Sequence, residues 1–99
     1  MKMTESEHNT MTAILINRLE RYKGDNAVVN PMDLDEEMSN EFMIYVRVNN
    51  LRLSAAGTDH KFSDVEKEFL RDMLIEYRDS SNPNETGKSD IASMLILLQ

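Results

Sequence analysis

The sequence contains no cysteine in 99 residues. That absence removes disulfides, thiolate metal sites and cysteine nucleophiles together, and it fits a reducing compartment. Glycine is nearly as scarce, with three in the chain. No phosphate-cradling glycine loop and no serine in a glycine-flanked elbow is therefore found. Long apolar runs are missing too. The longest, "IASMLILL" near the C-terminus, is about half of what a membrane span needs, and "MKMTESEHNTMT" lacks the apolar stretch of a signal peptide. The expected setting is cytoplasmic, with no membrane partner.

Positive charge is also in short supply. Eleven Lys and Arg face eighteen Asp and Glu, leaving a formal charge of −7. Proteins that grip a phosphate backbone need a basic footprint, so direct nucleic-acid binding is not expected. An acidic surface favours solubility and fast steering onto basic protein surfaces instead.

What is present fits one domain over residues 1–99, since hydrophobic residues make up 40% and charged residues 29%. Thr4-Glu5-Ser6-Glu7 is a capping box that opens a helix, and Met11, Ile14, Leu15, Leu19 and Tyr22 recur along it at helical spacing. Gly24 is placed to end it. Residues 25–33 read as a connection, because Asn30 precedes Pro31. Asp33 to Glu36 can cap a short helix reaching about Asn40.

The stretch "NEFMIYVRVNNLRLSAAG", residues 40–57, has no acidic residue after Glu41 and carries Arg47 and Arg52. Folded about Asn49-Asn50, it sets Val48 opposite Leu51, Val46 opposite Leu53 and Ile44 opposite Ala55. That alternation predicts a β-hairpin. In that register Arg47 and Arg52 face each other on the far side, an arrangement that invites an anion between them. A competing period also runs through the segment: Leu34, Met38, Phe42, Tyr45 and Asn49 fall at helical spacing.

Ser63-Asp64-Val65-Glu66 opens a further helix. Val65, Phe69, Met73 and Tyr77 form its inner row beside Leu70 and Leu74, and Glu68, Asp72 and Glu76 lie outside. Residues 79–87 read as a loop, and a last helix starts near Ser89 or Asp90. Its apolar residues surround it almost completely, so burial on more than one side is expected. The predicted fold class is α+β: an N-terminal helix, a central short hairpin and two C-terminal helices. The alternative is an all-α helical bundle.

Chemistry-bearing patterns are sparse. Asp59-His60 is the one candidate pair of a base with its orienter that the loops offer. An EF-hand loop starting at Asp33 fails, with Met38 where glycine belongs and Ile44 where Glu belongs. Weak cation binding by Asp33, Asp35, Glu36 and Glu37 stays open. No catalytic, cofactor or metal set is assigned, and no enzyme activity is expected.

Three function classes remain. The first is a small acidic protein-binding regulator or inhibitor, which in one form mimics nucleic acid through the carboxylates of Asp33 to Glu41 and Glu66 to Glu76. Its candidate contact residues are Asp33, Asp35, Glu36, Glu37, Met38, Glu41, Met43, Arg47 and Arg52, and its partner is another protein with a basic surface. Met38 and Met43 enter because thioethers adapt to varied partners. The second is a structural subunit forming a homodimer through a C-terminal seam of Ile91, Met94, Leu95 and Leu98. The third is a small enzyme built on His60.

Overall fold

The computed structural model describes residues 1–23, 32 and 34–99. Four α-helices follow in order: α1 Glu5–Glu20, α2 Glu36–Val48, α3 Asp64–Ser81 and α4 Glu85–Leu97, with a 3-10 turn over Asn49–Leu53 between α2 and α3. No strand occurs among the described residues, so the predicted hairpin is overturned and the bundle alternative holds. Helix α1 closes at Glu20 with Arg21 as its C-cap, earlier than the predicted stop at Gly24, which lies outside the described residues.

Both capping boxes form as the sequence requires. Thr4 Oγ1 accepts from the Glu7 amide at 3.1 Å while Glu7 Oε1 accepts from the Thr4 amide at 2.8 Å. Ser63 and Glu66 exchange the same pair of bonds at the head of α3. At the head of α2 the cap is Asp35, whose Oδ1 accepts from the Met38 amide at 2.7 Å. Each cap satisfies amides that have no partner inside the helix.

The helical period wins in α2 because it buries one face. Tyr45 and Val48 are buried, and Leu34, Met38 and Phe42 pack against the core. The alternating face of the predicted hairpin is split instead, since Val48 and Leu51 are buried but Val46 and Leu53 are exposed. An isolated two-stranded hairpin is marginal in water, whereas a helix satisfies its own backbone and docks by its stripe.

Neighbouring helices run antiparallel. Tyr22 of the α1 end packs against Phe42, and His8 near the α1 start meets Leu51. Tyr45 packs edge-on against Phe69. Arg71 donates to the Leu98 carbonyl, and Ser6 and Thr10 both reach Asp90. The result is an up-down-up-down bundle in which α1 and α3 touch each other and both α2 and α4. Its core centres on Met11, Ile14, Leu15, Leu70, Met73, Leu74, Ile91, Met94 and Leu98, all fully enclosed.

Helix α4 begins a turn earlier than its apolar pattern suggests, because Asn84 Oδ1 accepts from the Gly87 amide at 2.8 Å. A Cβ at Gly87 would sit 3.0 Å from the Pro83 Cβ, so glycine here lets the α3–α4 connection close onto the helix. As expected, α4 is covered on more than one side, by α1 and α3, but part of its apolar surround stays open. Ile96 is 68% exposed and Leu97 42%.

Candidate functional site

The residues proposed from sequence gather mainly on α2, and the helix sorts them by charge. Asp35, Glu36 and Glu37 occupy its head, and all three are exposed. Carboxylates belong there, since they oppose the positive end of the helix dipole. Arg47 occupies the last turn, where a cation suits the negative end, and Arg52 follows in the 3-10 turn. Asp33 lies outside the described residues.

The two arginines do not face each other, so the cross-strand anion site expected from the hairpin register is withdrawn with the hairpin. Arg47 stands 3.8 Å from Glu66 of α3 and remains 66% exposed. The upstream carboxylates do not reach it either, because eleven residues of helix place Glu36 about 16 Å away along the axis.

Between the charged ends the inner and outer sides of α2 diverge. Glu41 turns inward and accepts a 3.2 Å hydrogen bond from the Tyr22 hydroxyl. Burial and the neighbouring Glu41 charge push the Tyr22 phenol far above its ordinary pKa. Met38 is half-buried against the core. Outside, Met43 is 58% exposed and Val46 40%. Neither is needed to fill the bundle.

The proposed seam residues are placed differently. Ile91, Met94 and Leu98 are fully enclosed within the chain and Leu95 is half-buried, so the outer surface of α4 is made by Ala92, Ser93, Ile96 and Leu97. The acid–imidazole pair is not assembled. Asp59 binds the Met1 amine at 2.8 Å, and His60 stacks on Phe62. No cluster of three or more metal-ligating side chains occurs among the described residues.

One polar cluster escaped the sequence reading. Arg18 is buried, lies over the Tyr45 ring at 5.6 Å, and donates to Glu76 at 3.0 Å. Arg21 donates to the other oxygen of the same carboxylate. The signal was available: Arg18 interrupts the row of Met11, Ile14, Leu15 and Tyr22 at a core-facing position. The cluster neutralises Glu76, one of the carboxylates counted toward nucleic-acid mimicry.

No protein-family model matches the chain, and neither does any curated protein or solved structure.

Proposed function

We propose that the chain is a small acidic regulator or inhibitor that works by binding another protein through the outer face of α2. The observation that carries this reading is the exposure of Met43 and Val46 between a carboxylate-rich head and a basic tail, on a helix whose core contacts are made by its opposite side. Charge of this kind steers an approach, and apolar side chains hold the contact once water is expelled.

The nucleic-acid-mimic form of the reading is weaker. Glu66 is mostly covered beside Arg47, and Glu76 is held by two arginines. Glu68 and Asp72 are then the exposed acids left on that part of α3.

The test is capture of partners from a lysate of the source cells by the tagged chain, washed in rising salt. A protein retained by the wild-type chain and lost from a Met43→Asp/Val46→Asp variant supports the reading. Equal retention by both chains removes it. Loss at moderate salt assigns the contact to the carboxylates, and persistence at high salt assigns it to the apolar side chains.

A second reading, a structural subunit assembling through α4, is favoured by the exposure of Ile96 and Leu97. Its seam uses those two residues rather than the enclosed Ile91, Met94 and Leu98. An Ile96→Glu/Leu97→Glu variant that changes the mass in solution without unfolding supports it.

A further inference from the structure

We infer that the outer face of α2 pairs with the same face of a second copy of the chain, antiparallel about a two-fold axis. The inference rests on reading that face as a contact surface and names one occupant for it.

Glu36, Asn40, Met43 and Arg47 follow one another at steps of four, three and four residues. Side chains at those steps form one row along a helix, and this row lies opposite the buried Tyr45. The row is acidic at its head and basic at its tail. Turned end for end, it is complementary to itself. Laid antiparallel on a copy, Glu36 of one chain meets Arg47 of the other, and symmetry repeats the contact at the far end. The axis passes between Asn40 and Met43, so the two Met43 side chains flank it, with Val46 beside the row adding apolar area.

Three further observations agree with this occupant. Within one chain Glu36 and Arg47 are about 16 Å apart along the axis, so neither neutralises the other. The contact of Arg47 with Glu66 is long, at 3.8 Å, and leaves the guanidinium 66% exposed. From Phe42 to Thr58 the sequence carries no carboxylate, and Glu66 of α3, the acid beside Arg47, has its side chain only 17% exposed to an arriving Glu36. Each chain bears a formal charge of −7. Two copies therefore repel at long range, and the pair is a reversible, concentration-dependent one.

Sedimentation equilibrium of the full chain tests this. The mass is expected to rise from 11.4 kDa toward twice that value as concentration increases. Glu36→Arg alone and Arg47→Glu alone each set like charges together twice across the axis, and each weakens self-association about tenfold. The double variant Glu36→Arg/Arg47→Glu restores the attraction and returns association to within about threefold of wild type. It keeps whatever each single change costs the helix and the Glu66 contact, so rescue reports the pairing between chains. Circular dichroism confirms that all variants stay folded.

A monomer at every accessible concentration overturns the inference. So does a double variant no tighter than the weaker single one, or a dimer that only Ile96→Glu/Leu97→Glu disrupts. A monomeric chain that still captures a partner through Met43 and Val46 overturns the pairing and leaves the regulator reading standing. A dimer with the charge-swap signature that captures nothing does the reverse.

Discussion

Arg18 and Glu76 meet between α1 and α3 at 3.0 Å, with the arginine side chain 9% exposed and the glutamate 52%. The two partners are therefore not equivalent. Removing the carboxylate leaves a guanidinium enclosed beside Tyr45 without its counter-charge. Glu76→Ala is expected to cost about 1–3 kcal/mol. That is less than the loss of a partner from a fully buried pair, because water reaches Glu76. Asp72→Ala, on the same helix and exposed, should stay within about 0.5 kcal/mol of wild type. Urea unfolding of the two variants checks this, and coincident midpoints would sink it.

Stability should fall with acid over two successive pH ranges. His60 is held below its ordinary pKa of 6.5, first by burial and then by the nearby His8 and the N-terminal amine, with Asp59 opposing weakly. Its neutral ring is favoured in the fold, so its contribution is complete above that ordinary value and is lost as pH falls through the folded one. Glu76 is held below its ordinary 4.5, chiefly by the hydrogen bond from Arg21 and then by the Arg18 charge. Its contribution survives at pH values where that of His60 has begun to fade, and is lost only on further acidification. His60→Phe should flatten the first fall in melting temperature, the one that begins as pH drops below 6.5. Glu76→Gln should leave that limb and shrink the one below it.

Asp90 ties α4 to α1 by accepting from Ser6 Oγ at 2.8 Å and Thr10 Oγ1 at 2.7 Å, through one buried oxygen. The double variant Ser6→Ala/Thr10→Ala leaves that oxygen without donors and is expected to cost about 1–3 kcal/mol. Adding Asp90→Ala to it should recover part of the loss, because the stranded acceptor is then gone. A triple variant less stable than the double one would show that the carboxylate has another source of support.

Asn82 closes α3 with φ 44° and ψ 62°, the left-handed conformation. Asn tolerates this region and β-branched residues do not. Asn82→Val should cost about 1–2 kcal/mol, while Asn82→Gly should change stability by less than about 0.5 kcal/mol, as relief of strain offsets a freer unfolded chain. Thermal unfolding of both variants decides it.

The helices most legible in the sequence were those with reciprocal caps. Thr4 with Glu7 and Ser63 with Glu66 mark α1 and α3 unambiguously, since two side chains three residues apart serve each other's backbone. The α2 segment misled because Phe42, Ile44, Val46 and Val48 satisfy a period of two while Leu34, Met38, Phe42 and Tyr45 satisfy the helical one. Length decides between them, and the longer row is the helical one. The start of α4 was hidden by Pro83 and Gly87, which read as loop residues until Asn84 is seen to cap the helix between them. Glu36 and Glu37 were legible as surface groups, whereas Met43, whose thioether fits core filling equally well, proves exposed. The relation of Glu36 to Arg47 was not, because it depends on the helix that sets their separation. Arg18 reads from the sequence as a cation suited to the last turn of α1, and that role hides its core-facing position.

Among the four helices, α2 encloses the fewest side chains, with Tyr45 and Val48 alone fully covered. Its amides should accordingly exchange with solvent by local opening well before those of α1 and α3. The surface proposed to meet other chains thus sits on the part of the bundle expected to loosen while the rest stays closed, and a partner bound there would also hold it shut.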